Sequence, residues 1–431
     1  MSTEMVEKDP KNFPILRNLQ YSPLKQGEEQ YIVLWDPTGL SGEKLVLPLN
    51  YFYLFQFFDG EHSLEQVGGE YLKKYGEFMM PDRLVQLIAD LDEKLFLEND
   101  RSEQAHKQAI EAYRKLEIRP MAFAGKSYED NPEKLREQLE GFYRSKEGPE
   151  KGKAEFAGKS IKGLVAPNFD LKEAGAIYAW GYQELQEGET PDVYVLVGTC
   201  HSGLESGIAF TDKDFETPFG RIPVNRPILD AIRHETGDTF FTEDIRHLKE
   251  HSLEFQLPFL QHALGEGRNI SIVPILCAFP PETLTGGDFQ DLFHHIDRFL
   301  TVTKQAIQAS GQSVCVIASA NLAHIGIRYG DKTPPTDFSF HKCMQTDLEM
   351  MKKVEEVDPE GFAEFILREG DQRRILGFPA IFTLLKLIQR EGEPRKGQVL
   401  RYDRGITDQF NSTVTYASIV FGEGSSEATS D

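Results

Sequence analysis

Cysteine is scarce in this chain. Cys200, Cys277, Cys315 and Cys343 are the only four among 431 residues, and no two form a C-x-x-C pair. That excludes a disulfide framework and makes a reducing, cytoplasmic setting the expectation. Long apolar runs are missing too. No stretch approaches the roughly 20 residues a membrane-spanning helix needs, so no membrane partner is expected. Met1–Asn12 is charged and carries no apolar segment, so no signal peptide is expected. Positive charge is in deficit: 47 Lys+Arg against 69 Asp+Glu give a formal net charge of −22. Such a field repels phosphate backbones, and no basic patch along the sequence offsets it, so nucleic acid is excluded as a partner. Apolar residues, at 40%, are abundant enough to fill real cores, which excludes global disorder. The length predicts two or three domains.

Residues 1–110 form a first unit. Tyr31–Trp35 and Leu45–Leu49 are β-like runs, separated by the turn Asp36-Pro37-Thr38-Gly39. Leu49–Phe58 is densely apolar and aromatic. Ser63 caps a helix with Gln66 at the capping-box position, Gly76 ends it, and Pro81 starts another. Leu95-Phe96-Leu97 is expected as a strand. Helix, helix, helix, strand is winged-helix order, yet these residues hold 11 Lys+Arg against 19 Asp+Glu and no basic recognition helix. Docking of a peptide or protein partner suits the unit better than DNA binding. Residues 111–160 read as a connecting segment with one helix, Pro132–Phe142, and a solvated loop at Arg144–Lys153. From 161 to 421, strand candidates at Gly163–Ala166, Val193–Val197, Ile270–Leu276 and Val314–Ala318 alternate with helices at 172–187, 225–235, 252–264, 288–308, 341–354 and 377–390. Val399–Tyr402 and Ser412–Val420 close the domain as strands. This alternation predicts an α/β sandwich with a mostly parallel sheet. Residues 422–431 read as a disordered tail.

Two suggestive motifs carry no chemistry. FAGKS occurs at Phe123–Ser127 and Phe156–Ser160, but a P-loop needs glycine where Pro120 and Lys153 stand. His294-His295 lies in a helix, where adjacent side chains diverge by about 100° and cannot share a metal. The informative residues follow strand ends, where active groups gather in open α/β folds. Val193–Val197 leads to His201, Gly163–Ala166 to Asn168 and Asp170, and Val314–Ala318 to Asn321 and His324. Glu250 and His251 begin an apolar helix. Asp170 belongs either to the cleft or to the first turn of the next helix. Cys200 lies beside His201, but neighbours on an extended loop face opposite ways, which argues for a wall residue over a thiol nucleophile. Ser252 is explained by helix capping.

These residues carry a family resemblance. The stretch from about 120 to 421 resembles the Memo family, the B component of AmmeMemoRadiSam systems. The matching segments include Arg119-Pro120, Leu164–Pro167, Val195–Gly203, Thr217-Pro218-Phe219-Gly220, Ile272–Leu276 and Ala318–Gly326. The most specific is Glu250-His251-Ser252-Leu253-Glu254-Phe255-Gln256-Leu257-Pro258-Phe259-Leu260. Residues 1–110 are similar to the PqqD-like domains fused to some bacterial members, winged-helix elements that hold leader peptides.

The resemblance implies a fold like the class III extradiol dioxygenases, which hold non-haem iron with two His and a carboxylate. His201, Glu250, His251 and His324 match the family pattern. Asn168 stands where it has His, Asn321 where it has Asp, and Asn225 where many members have Asp. Near the C-terminal end, in the region just before Ser412 where some relatives supply a cysteine, this chain has none. An amide oxygen is a weaker ligand than imidazole or carboxylate. One reading is therefore an accessory component of a radical-SAM-linked modification system. Its cleft would bind a polar ligand through a degraded metal site, and a radical SAM protein or its peptide or protein substrate would be the partner. The alternative is a dioxygenase-like oxidoreductase in which His201, with His251 or His324, holds a weakly bound iron, copper or zinc ion.

Overall fold

The structure, a computed structural model, describes residues 9–149, 154–265, 268, 270–390 and 395–423. The proposed tail, beyond Gly422 and Glu423, and the end of the Arg144–Lys153 loop lie outside the described residues. The chain divides into two compact units, Met1–Lys115 and Leu116–Asp431.

In the first unit, strands β1 (Gln20–Gln26), β2 (Glu29–Trp35) and β3 (Lys44–Pro48) form an antiparallel sheet in that order. The aromatic run Leu49–Phe57 folds as a 3-10 helix, and α1 (Leu64–Tyr75), α2 (Pro81–Glu93) and α3 (Asp100–Arg114) follow. Ser63 and Gln66 close the capping box, and Gly76 ends α1 in the left-handed conformation at φ 70°. Leu54, Val67, Leu84, Leu91 and Phe96 fill the core. Two expectations need correction. Leu95–Leu97 is not a strand: Leu95 sits at φ 58°, which breaks an extended run, and only Leu97 makes an isolated bridge, to Leu16. The start of the 111–160 segment is not connection, because α3, capped by Asn99, runs on to Arg114.

The second unit runs β4 (Ile118–Arg119), α4 (Pro132–Arg144), β5 (Ile161–Ala166), α5 (Leu171–Glu187), β6 (Val193–Thr199), β7 (Ile208–Phe210), β8 (Asp214–Thr217) and β9 (Gly220–Ile222). It continues with α6 (Arg226–Thr236), α7 (His251–Glu254), α8 (Gln256–Leu264), β10 (Ser271–Cys277), α9 (Gln290–Ala309), β11 (Val314–Ser319) and β12 (His324–Ile325). It ends with α10 (Asp337–Glu355), α11 (Pro359–Arg368), α12 (Phe378–Ile388), β13 (Arg395–Ile406) and β14 (Thr413–Glu423). The main sheet has the order β12-β14-β5-β11-β6-β10-β7, with β13 pairing on β14; β4, β8 and β9 form a small second sheet.

The sheet is mixed rather than mostly parallel. β5, β11, β6 and β10 pair in parallel, whereas β7, β12, β13 and β14 all pair antiparallel. The parallel strands are almost wholly apolar because helices cover both faces. A Cβ on Gly163 would meet Ile388 of α12, while the side chain of its neighbour Leu164 lies against Gly181 of α5. Successive strand residues point to opposite faces, so α5 and α12 lie on opposite sides of the sheet. Gly181 permits the close approach of α5, since a Cβ there would lie 2.5 Å from Leu164 Cδ1.

Candidate functional site

Neighbouring parallel strands deliver the loops. His201 follows β6, Asn168 follows β5, and Asn321 and His324 follow β11, so all leave the carboxyl ends of adjacent strands. Glu250 and His251 join them from the start of α7. The expected helix 252–264 is two short helices meeting at Phe255, and its cap is Glu250, which accepts from Ser252 N at 2.9 Å. Ser252 is not the cap. It is buried over β6, where a Cβ on Gly198 would fall 2.4 Å from its Oγ.

Glu250 is the hub. Its Oε1 receives Ser252 N and also His201 Nδ1, at 3.0 Å; its Oε2 receives His201 N at 2.8 Å. Burial alone would raise the Glu250 carboxyl pKa, but the adjacent imidazoles and these N–H donors hold it far below the usual carboxylate range. Burial opposes charge on His201, and Glu250 outweighs it, so that pKa is raised. His251 stacks on His201 with ring centroids 4.4 Å apart and reaches Asn168 O through Nε2 at 3.1 Å. Burial pushes its pKa down to about 4. Ligand atoms of His201, Glu250 and His251 all lie within 4.8 Å of one another.

His324 is held by a different clamp. Its Nδ1 faces Leu322 O at 3.1 Å and Arg374 O at 3.0 Å, and its backbone N–H donates to Arg373 O at 2.7 Å. Carbonyl oxygens only accept, so Nδ1 carries the proton and Nε2 the lone pair. Burial, with a smaller contribution from charge on His201, lowers its pKa to about 4. Arg374 and Asp371 adopt φ of 51° and 45° in the turn that forms this clamp, a backbone arrangement costly for non-glycine residues.

Asn168 and Asn321 are bound to each other, Asn168 N donating to Asn321 Oδ1 at 3.1 Å. Asn168 Nδ2 donates to Ser319 O at 3.3 Å, while its buried Oδ1 has no partner. Asp170 caps α5 through Lys172 N at 2.9 Å and is the helix-turn residue of the two options. Asn225 is not part of this cleft. It caps α6 and lies against Ser271 and Gln312 at the opposite ends of the strands. The Cys200 thiol is buried, and burial pushes its pKa up to about 12, which leaves it protonated. His295 is half-buried against Phe240, and His294 is exposed.

Sequence reasoning did not single out the supports beneath the site. Arg119 and Glu254 form a fully buried pair. Arg119 donates to His247 O and Glu250 O, each at 2.9 Å, and so fixes the backbone that presents Glu250. Glu254 also accepts from Phe123 N at 2.8 Å and Tyr128 Oη at 2.7 Å. Gln256 Nε2 donates to Pro167 O at 2.7 Å and Ser319 Oγ at 2.6 Å, tying the ends of β5 and β11 to the α7–α8 corner. The available signal was polar residues at 254 and 256 inside an otherwise apolar block.

The residues do not fit a two-His, one-carboxylate metal centre. Both oxygens of Glu250 are occupied by N–H donors, and the other oxygen donors, Asn168 and Asn321, are neutral amides. What remains is Nε2 of His201 and of His324, Nδ1 of His251, which lies 3.2 Å from Glu250 Oε1, and an unpartnered amide oxygen. These suit hydrogen bonding to a polar molecule.

A family model described as Memo-like protein matches residues 119–420. The chain is 26% identical over 394 residues to a MEMO1 family protein of Aquifex aeolicus, covering 90% of this chain and 95% of that protein. It is 27% identical over 314 residues to one from Methanopyrus kandleri, covering 71% of this chain and 99% of that protein. It is 29% identical over 274 residues to one from Thermotoga maritima, covering 62% and 88%. The Aquifex match is too long to fit within Leu116–Asp431 and takes in part of the first unit.

Proposed function

We propose, from the premise that the chain belongs to the Memo-like family, that its second unit is a ligand-binding module. The cleft binds a small polar molecule through His201, His324 and Asn168, with Glu250 as the group that orients His201. The observation that carries this reading is the occupation of both Glu250 oxygens by N–H donors. It leaves a neutral donor set in place of an anionic one. The chemistry open to this set is recognition and proton holding at His201 Nε2; no redox step follows from it.

The broader role we propose is that of an accessory component in a radical-SAM-linked modification system of the cytoplasm. The first unit docks a peptide or protein, either the radical SAM protein or its substrate. The chain's excess of acidic over basic residues suits a protein partner better than nucleic acid. Elemental mass spectrometry on anaerobically purified protein, with His201→Ala as control, tests the cleft. The expected result is substoichiometric metal, equal in both proteins. Near one equivalent of iron, copper or zinc, lost in the variant, would favour the oxidoreductase reading.

A further inference from the structure

His324 is gripped from two sides. On one side, the turn after α11 offers Arg373 O to the His324 backbone N–H at 2.7 Å and Arg374 O to Nδ1 at 3.0 Å. On the other, β14 holds the two residues before it. Leu322 N donates to Thr415 O at 2.7 Å, Thr415 N donates to Ala323 O at 2.9 Å, and Ala323 N donates to Thr415 Oγ1 at 2.9 Å. These two sides are far apart in sequence.

Both sides converge on one carboxylate. Asp347, on α10, is fully buried. Its Oδ1 pairs with the Arg373 guanidinium. Its Oδ2 accepts from Thr415 Oγ1 at 2.7 Å and from Tyr402 Oη at 2.8 Å, with the Cys343 thiol 4.0 Å away. The Thr415 hydroxyl therefore works in both directions: its oxygen accepts from Ala323 N, and its single proton goes to Asp347. Burial raises the Asp347 pKa, and Arg373 with the two hydroxyl donors works against that rise.

Stability alone does not call for this arrangement. A buried ion pair is often no better than apolar residues of the same volume. What the pair does hold is the turn. Asp371 and Arg374 sit at φ 45° and 51°, and such backbone persists only where its surroundings over-determine it. Arg373, inside that turn, is fixed by two carboxylates. Asp347 takes Nη1, and Glu369 Oε2 takes Nε at 3.1 Å and Nη2 at 2.7 Å. The carbonyls of Arg373 and Arg374 are thereby aimed at His324. Without the Asp347 anchor, the turn is freer to swing its carbonyls away, and the His324 Nδ1–H loses acceptors.

We infer that Asp347 is a positioning residue of the histidine cleft: acting through Thr415 and Arg373, it fixes His324 as the Nδ1–H tautomer and so keeps the Nε2 lone pair for a ligand. The inference rests on the part proposed for His324 in ligand binding. Its test reads the ring alone, so it can fail while that reading stands.

The test is NMR of the full chain carrying nitrogen-15 histidine, following the ring tautomers and the exchange of each Nδ1–H with solvent. Asp347→Asn keeps the shape and removes the charge. It is expected to speed His324 Nδ1–H exchange by roughly fivefold or more, the effect of one weakened hydrogen bond, and to admit a share of the Nε2–H tautomer. His201, held by Glu250, is the internal reference and is expected to change by less than about twofold. Thr415→Val removes the linking hydroxyl at nearly constant shape and is expected to act in the same direction. Thr415→Ser is expected to restore native exchange. An unmoved His324 in folded Asp347→Asn protein would overturn the inference. So would equal acceleration at His201, which marks general loosening. If Asp347→Asn does not fold, the threonine pair decides. Native exchange in Thr415→Val, or no rescue by serine, would then overturn it.

Discussion

His201 and Glu250 are joined twice. One carboxylate oxygen takes the backbone N–H of His201 at 2.8 Å and the other takes its ring Nδ1 at 3.0 Å. The pairing fixes both the loop after β6 and the direction of the imidazole, turning Nε2 outward. It also couples their titrations. His201 has a raised folded pKa, so its contribution to stability is complete below the unfolded value, about 6.5, and is lost as pH rises through the folded value. Glu250 has a lowered folded pKa, so its contribution is present above about 4.3 and is lost as pH falls through the folded value. The pair is thus fully stabilising between those limits. Glu250→Gln is expected to lower the His201 pKa, read by NMR titration. It is also expected to cost about 1–3 kcal/mol in urea unfolding near pH 6, because N–H donors inside the site lose their acceptor.

Acid acts through the other two imidazoles. His251 and His324 are both held near 4, well below the unfolded value of about 6.5. A depressed histidine pKa means that stability is present above the unfolded value and lost as pH falls from there toward the folded one. Unfolding free energy is therefore expected to fall between about pH 6.5 and pH 4. His324→Asn is expected to flatten that slope, as measured by chemical denaturation at a series of pH values.

Arg119 fixes the backbone on which Glu250 rides, and its partner Glu254 is fully buried. Arg119→Met leaves the Glu254 carboxylate without its countercharge. The expected cost is about 3–5 kcal/mol, measured by urea unfolding. A loss below about 1 kcal/mol would show that the pair is not the support described.

Gly198 ends the close approach between β6 and α7. A Cβ there would lie 2.4 Å from Ser252 Oγ and 2.7 Å from Leu253 Cδ2. Gly198→Ala is expected to destabilise by about 1–3 kcal/mol through overpacking. It is also expected to disturb the His201–His251 stack, visible as shifted imidazole resonances.

Much of this was legible in the sequence because it rests on local signals. The capping box at Ser63 and Gln66, the four parallel strands and the helices between them follow from cap residues and apolar periodicity. The strand-end rule led to His201, Asn168, Asn321 and His324, which do lie on neighbouring loops. What escaped it depends on long-range contact. Four antiparallel partners flank the parallel strands, and β7 is only three residues long, too short to show a period. Asn225, which stands where many Memo-family members have Asp, lies at the far ends of the strands from the cleft, a placement that only the folded chain reveals. Arg119 and Glu254, 135 residues apart, meet only in the folded chain.

The central claim is that Glu250 serves as an orienting hydrogen-bond acceptor and the cleft as a neutral recognition site. Its most direct test is nitrogen-15 NMR of histidine-labelled full-length protein, before and after one equivalent of Zn(II) or, anaerobically, Fe(II). The account expects Nδ1 of His201 and of His324 to be protonated and their Nε2 signals to be unmoved by the metal. Stoichiometric, coordinated displacement of the His201 and His324 or His251 nitrogen signals would contradict it and establish a metal centre in the cleft.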